Sequence, residues 1–325
     1  MFKSILVLSA TALLATTALA EARTLRFAYA SNATPTKQAM AEFGELLSEK
    51  TDGELTVQFF PDSQLGGERE LVEMVQSGML DMTKVSGGLM ESFSPIYGVF
   101  SMPYLFDDQD HFYKVMDDPE IMEPIYQSTA DTGMIGLTYY DSGARSFYTS
   151  EKPVESVADL EGLKIRVMQS PTSIAMVEML GGSPIAMGQS EVYTSIQQGV
   201  LDGAENNEFA LTIARHGEVA KYYSYDMHTR IPDIMLISKT TFDSLSEGEQ
   251  KAVLEAARES TAFQKTAWGD AIAATKKEAE ENFDVQFFYP DVSEFQSAVQ
   301  PMYDELKSEP EKYEVYEQIR AVAGD

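Results

Sequence analysis

The succession strand, helix, strand occurs twice in this chain, and no other feature restricts its fold as much. Thr24 to Ala30 alternates apolar and polar residues as a strand does, an amphipathic helix follows from about Thr36 to Thr51, and Asp52-Gly53 turns the chain into a strand at Leu55 to Phe60. Glu68 to Ser77 then reads as a helix with Leu71, Met74 and Val75 on one face, Gly78 ends it, and Met82 to Val85 is a brief strand. After the strand-like Met134 to Tyr140 the grammar restarts. Leu163 to Val167, a helix after Pro171, Ser183 to Met187, a helix over Ser190 to Gln198 and the turn Asp202-Gly203 make a second unit. Such an order with short loops predicts an α/β protein whose sheets are parallel and flanked by helices. At 325 residues and 44% hydrophobic, the chain is long enough for two lobes. Asp233 to Lys239 is one more strand. Ser246, with Glu249 three residues on, caps a long Ala- and Glu-rich helix from Glu247 to about Asn282. At ~1.5 Å per residue that helix reaches about 50 Å, enough to lie across both lobes.

The first twenty residues are a separate object. Lys3 precedes an apolar run from Ile5 to Leu14, and Ala18-Leu19-Ala20 supplies the small residues of a cleavage site, so residues 1–20 read as a secretory signal peptide. No other segment approaches the ~18 uninterrupted apolar residues of a membrane span, so the mature protein is expected to be soluble outside the cytoplasm. With no cysteine in the chain, an oxidising compartment can form no disulfide, and the core alone must hold the fold. The formal charge is -28, from 24 Lys and Arg against 52 Asp and Glu. Such a field repels a phosphate backbone, which excludes nucleic acid as a partner. An anionic ligand would need local arginines to overcome it.

No enzyme constellation emerges. His111, His216 and His228 are scattered, no zinc spacing or calcium loop is present, and there is no nucleophile elbow, P-loop or dinucleotide fingerprint. No cofactor and no metal are expected. Paired acids such as Glu68 and Glu70 are bound to occur by chance among 52. The unusual residue is Arg166, inside the apolar run Ile165 to Val167. Burying a guanidinium costs several kcal/mol unless an anion meets it, so Arg166 requires either an internal acid or an anionic ligand. Arg145 follows the strand ending at Tyr140, where the chain crosses between lobes, and two arginines there could converge on one carboxylate through their bidentate forks. Asn206 and Asn207 offer donors and acceptors for hydroxyls, or alternatively form a turn or helix cap.

Six segments, taken in order, resemble the extracytoplasmic solute-binding proteins of tripartite ATP-independent periplasmic (TRAP) transporters, the family of C4-dicarboxylate and sialic acid receptors. They are Gln64-Leu65-Gly66, Gly78-Met79-Leu80-Asp81-Met82, Pro103-Tyr104-Leu105-Phe106, Gly162-Leu163-Lys164-Ile165-Arg166-Val167, Ser190-Glu191-Val192-Tyr193 and Asp202-Gly203-Ala204-Glu205-Asn206. The resemblance covers nearly all of the mature chain. It implies a two-lobed periplasmic-binding-protein fold, each lobe a sheet flanked by helices, with hinge strands and a long helix spanning both. Residues 21–142 plus 232–271 would form lobe I, and 143–231 plus 272–325 lobe II. It further implies that Arg166 pairs with the ligand carboxylate, and that Arg145, Asn206, Glu68, Ser86, Ser170 and Gln189 line the cleft. Asn207, Asn32 and Lys84 are further candidate contacts. Gln189 stands where sialic acid receptors carry an aromatic, which points away from sialic acid.

Glu68, Lys84, Ser86, Gln189, Asn206 and Asn207 supply more hydroxyl partners than a bare dicarboxylate needs. That favours a uronic acid such as galacturonate or glucuronate, as does the similarity of Met82-Thr83-Lys84-Val85-Ser86 and Phe147-Tyr148 to uronate-binding relatives. A C4-dicarboxylate, an aldonate or another organic acid is the alternative ligand. The expected partners are that small molecule and the TRAP membrane subunits, with the receptor itself a monomer in the periplasm. Two other functions compete with transport: a secreted carbohydrate-active enzyme using Glu68 and Glu205, and a sensory receptor on the same fold.

Overall fold

The computed structural model describes residues 22–30 and 33–323; the predicted signal peptide and Asn32 lie outside the described residues. The first unit runs β1 (Arg23–Tyr29), α1 (Thr34–Lys50), β2 (Leu55–Phe60), α2 (Glu68–Gln76), β3 (Met82–Ser86), α3 (Gly87–Met90), α4 (Gln109–Met116), α5 (Pro119–Gln127) and β4 (Met134–Tyr140). The second runs β5 (Arg145–Thr149), β6 (Lys164–Val167), α6 (Pro171–Met179), β7 (Ser183–Ala186), α7 (Gln189–Gln197), β8 (Gly203–Asn206), α8 (Phe209–Thr212) and β9 (Tyr222–Thr229). The chain then returns through β10 (Asp233–Ser238), α9 (Lys239–Asp243), α10 (Glu247–Phe283), β11 (Gln286–Phe288), α11 (Ser293–Leu306) and α12 (Pro310–Val322).

Two sheets result, in the orders β2-β1-β3-β10-β4 and β11-β9-β5-β8-β6-β7. Both are mixed, where the strand grammar predicts parallel ones. β1 lies parallel to β2 and β3, but β10 is antiparallel to β3 and β4. β6 lies parallel to β7 and β8, but β5 is antiparallel to β8 and β9. The exceptions are the strands next to the crossings. A parallel neighbour needs a crossover of a dozen or more residues, usually a helix. β4 passes to β5 through residues 141–144 and β9 to β10 through residues 230–232, so β5 and β10 each enter their sheet directly from the other sheet and not by a helical crossover from a neighbouring strand.

Both faces of the first sheet are covered, which is why β3, β4 and β10 are buried along their whole length. On one face α1 sets Ala39, Phe43 and Leu47, spaced four apart, against the sheet beside Ala252, Val253 and Ala256 of α10. On the other face Val72, Val75, Phe100 and Phe112 begin a cluster that continues into the second lobe through Phe147, Ile165, Val167 and Met176. Each fully buried Leu, Val or Phe contributes about 1.5–3 kcal/mol, so this shared cluster couples the two sheets through apolar burial.

The long helix has the predicted cap. The Ser246 hydroxyl accepts from the Glu249 amide at 3.3 Å, and the Glu249 carboxylate accepts from the Ser246 amide at 2.7 Å. Its 37 residues extend about 55 Å at ~1.5 Å per residue. It packs on α1 and β4 of the first lobe and on α8 of the second. Midway, Gln264 donates to the Asp141 carbonyl at 2.8 Å and accepts from its amide at 2.9 Å, clamping the first crossing. Trp268 sits one turn on against Phe209, with ring centroids 4.8 Å apart. Gly143 passes beneath it at φ +67, where a Cβ would meet the indole at 3.2 Å, so this position requires glycine.

α12 packs on α4 and α5 of the first lobe, where Arg320 donates to Asp107 at 2.8 Å and the Ile319 carbonyl lies 2.9 Å from His111 Nε2. Val315 and Ile319 join the buried cluster that also holds Phe112 and Val115, so apolar burial holds the helix there. Among the described residues no helix is long and apolar enough to cross a membrane.

Candidate functional site

A cavity of about 100 Å³ opens between the sheets beside the two crossings. Glu68, Lys84, Ser86, Arg145, Arg166, Gln189, Asn206 and Asn207 all line it, together with Asp233 and Trp268. The topology explains the convergence. Lys84 and Ser86 are two apart near the end of β3 and so face the same way, Arg145 opens β5, Arg166 lies in β6, and Asn206 ends β8. Glu68 and Gln189 are the first residues of α2 and α7. In open α/β sheets this crevice at the strand ends is where ligands sit.

One wall is a buried charge cluster. Lys84 Nζ donates to Asp233 at 2.7 Å and lies 3.8 Å from Glu68, whose carboxylate accepts from the Ser86 amide at 3.2 Å. Burial raises the Glu68 carboxyl pKa, and Lys84 opposes that rise. Asp233 was missed in the sequence. Its signal was available, since a buried Lys84 demands an acid and Asp233 begins the strand that pairs with β3 opposite Ser86.

The opposite wall carries the two arginines, and they differ. Arg145 Nε donates to Glu205 at 2.6 Å, Nη2 to the other carboxylate oxygen at 3.0 Å and to the Glu205 carbonyl at 2.8 Å, and Nη1 to Asn206 Oδ1 at 2.8 Å. Burial works against its charge, but Glu205 outweighs it and the guanidinium pKa is raised. Behind this pair, His228 lies 3.4 Å from Glu205 and 2.6 Å from Asp226. Burial would lift the Glu205 pKa, yet Arg145 and His228 bring it down to about 2. Burial would likewise lower that of His228, yet Asp226 and Glu205 raise it to about 9. A carboxylate so firmly ionised offers no proton for acid catalysis near neutral pH.

Arg166 has no such partner. It is buried, its Nε and Nη2 donate to the Met187 carbonyl at 3.0 and 2.9 Å, and no carboxylate among the described residues forms an ion pair with it. Burial depresses its pKa, with Glu205 acting the other way and Arg145 adding to the depression. Of the two arginines that could converge on one carboxylate, Arg145 is already balanced by Glu205, whereas Arg166 is a buried cation facing the cavity.

The remaining predicted residues divide. Asn206 turns its carbonyl oxygen to Arg145 and to the Asn207 amide. Asn207 spends its own amide on the backbone, donating to the Ser142 carbonyl at 2.8 Å and accepting from Phe209 at 3.0 Å. The Ser86 hydroxyl donates to Met168 Sδ at 3.1 Å. Ser170 does not line the cavity. It is fully buried, caps α6 by accepting from the Ser173 amide at 3.0 Å, and donates to Glu91 at 2.5 Å. The serine before Pro171 is thus a helix cap, a reading its place before a helix-opening proline already carried. A second chamber of about 570 Å³ adjoins the cavity and shares Arg166, Glu68, Met168 and Gln189 with it. Across its rim Arg69 donates to Gln169 at 2.7 Å. No group of three or more acids and histidines suited to a metal occurs among the described residues.

Comparison with known proteins places this geometry. The profile of the bacterial extracellular solute-binding proteins, family 7, matches residues 27–309. YiiZ of Salmonella typhimurium is 58% identical over 296 residues, 91% of this chain and 90% of that protein. The crystal structure of a TRAP periplasmic solute-binding protein from Anaerococcus prevotii, with bound D-glucuronate, is 38% identical, spans 92% of this chain and 97% of that one, and has a TM-score of 0.89. A second, from Xanthobacter autotrophicus with bound β-D-galacturonate, is 36% identical over 91% of this chain and 99% of that one, at a TM-score of 0.87. This chain therefore belongs to the bacterial extracellular solute-binding proteins, family 7, the solute receptors of TRAP transporters.

Proposed function

We propose that this receptor binds a hexuronate such as galacturonate or glucuronate in the cavity between its lobes and delivers it to the TRAP membrane subunits. Arg166 carries the reading. A buried guanidinium with no acid beside it is stable only with an anion, and a ligand carboxylate is the anion the cavity can admit. Glu68, Asp233 and Asn206 then face the hydroxyls of the sugar, and Gln189 adds a donor and an acceptor. Bound glucuronate and galacturonate in structures 38% and 36% identical to this chain support the same class. In this reading the signal peptide is removed, the receptor works as a periplasmic monomer without turnover, and lobe I and lobe II close on the ligand along the crossings at residues 141–144 and 230–232. Closure is driven by the difference in affinity of the ligand for the two states.

Calorimetric titration with glucuronate, galacturonate, gluconate and succinate tests it. A hexuronate should bind at least ~100-fold more tightly than succinate, a difference of about 2.7 kcal/mol. Preference for succinate or gluconate would overturn the ligand class, and conversion of a uronide to product would overturn the receptor role.

A further inference from the structure

The cavity that Arg166 faces has a larger neighbour. The second chamber, of about 570 Å³ against about 100 Å³, adjoins the first, and both are lined by Ala30, Glu68, Arg166, Met168, Gln189 and Ala214. Arg166 stands at the junction, so a carboxylate held there touches both spaces. A hexuronate with its ring in the inner cavity keeps its carboxylate at Arg166. The hydroxyl on the ring carbon adjoining the one that bears the carboxylate is then the hydroxyl nearest the second chamber. That chamber has the volume of a drug-sized ligand site.

The walls of the chamber say what it accepts. Glu70 and Glu191 stand on them beside Glu68. Of the cations there, Arg166 serves the carboxylate, and Arg69 donates to Gln169 and lies 5.3 Å from the centre of the Phe93 ring. His216, also on the wall, has its Nδ1 2.7 Å from the Tyr148 hydroxyl and stays neutral, because burial and Arg166 hold its pKa down at about 4. With Arg166 taken up by the ligand carboxylate, Glu70 and Glu191 outnumber Arg69 and leave this wall net negative, which disfavours a second anion and accepts hydroxyls well. On the reading of the inner cavity as a uronate site, we infer that the receptor takes a disaccharide, a uronic acid in the inner cavity carrying a neutral sugar on its 4-hydroxyl in the outer chamber.

The test is calorimetry with three ligands: glucuronate, glucuronate bearing a glucosyl group on its 4-hydroxyl, and digalacturonate, whose second ring is itself an anion. The neutral disaccharide should bind at least as tightly as glucuronate, and digalacturonate about tenfold or more weaker than the neutral disaccharide. Ser190→Trp, at an exposed position in the first turn of α7, should weaken the neutral disaccharide by about tenfold and leave glucuronate within about twofold. Glu70→Lys should recover digalacturonate. Glucuronate binding with neither disaccharide bound would overturn the inference and leave the hexuronate reading intact. Failure of all three ligands would overturn both. Equal affinity for the two disaccharides, unchanged in Glu70→Lys, would overturn the requirement for a neutral second sugar.

Discussion

Glu205 meets Arg145 with both carboxylate oxygens, at 2.6 Å from Nε and 3.0 Å from Nη2, although it sits in the strand that separates Arg145 from Arg166. Two arginines that look interchangeable in sequence are thereby set apart. One has its charge balanced within the protein, and the other has it balanced by what arrives.

Removing Glu205 should therefore damage the fold before it damages recognition. Glu205→Gln leaves Arg145 buried without its counter-ion, which costs about 3–5 kcal/mol. Urea denaturation of the ligand-free protein reads the loss directly. A stability within ~0.5 kcal/mol of the parent would show that Arg145 does not depend on this pair.

Arg166 should behave in the opposite way. Arg166→Met removes an uncompensated buried charge, so the ligand-free protein should gain stability, by up to about 1–4 kcal/mol. Hexuronate affinity should fall by 2–5 kcal/mol, roughly 30-fold or more, and Arg166→Lys should retain part of it as a point charge without the fork. Thermal shift with and without glucuronate separates the two effects; unaltered affinity in a folded Arg166→Met would remove the assigned role.

Stability should peak near pH 6.5. His228, with its pKa raised to about 9, contributes in full below the ordinary imidazole value of 6.5, and its contribution is lost as pH rises through about 9. His216, depressed to about 4, contributes above 6.5 and loses that contribution as pH falls toward about 4. Glu205, depressed to about 2, contributes above its ordinary 4.5 and is lost as pH falls through about 2. Urea midpoints across this range should decline on both sides, and His228→Gln should flatten the alkaline limb and also soften the acid one, because Glu205 then loses one of the groups that depress it.

Caps can be removed without touching recognition. Ser246→Ala deletes a hydroxyl that accepts from a helix amide, for about 1 kcal/mol, and Ser170→Ala costs more, about 2–4 kcal/mol, because it also removes the donor to the buried Glu91 carboxylate. Hexuronate affinity should stay within about twofold for Ser246→Ala, at the far end of α10 from Trp268. A larger change would mean that the start of this helix is coupled to the cavity.

Elements with a strong period or a cap were legible in the sequence. β1, β2, β4 and α10 begin and end within a residue or so of where alternation, Asp52-Gly53 and the Ser246 capping box put them. β9 was not, because the buried Asp226 and His228 break its apolar pattern with charges that only the Glu205 network explains. The cavity was legible where a side chain was costly on its own, as with Arg166. It was illegible where the balance is made across distant segments, since Glu205 pairs with a residue 60 positions away and Lys84 with one 149 away. No spacing rule reaches so far.

The position of β10 between β3 and β4 also governs when the protein can fold. As the chain is made, the first 140 residues hold only two separated fragments of sheet, β2-β1-β3 on one side and β4 on the other. The strand that joins them follows the whole of β5 to β9. The first sheet is therefore not closed until the strands of the second have been made, and pairings of such wide sequence separation slow the search for the native state. The interleaving that builds a cleft between two sheets also keeps a growing chain open until both halves are present, so assembly of the receptor and completion of its binding site are one event.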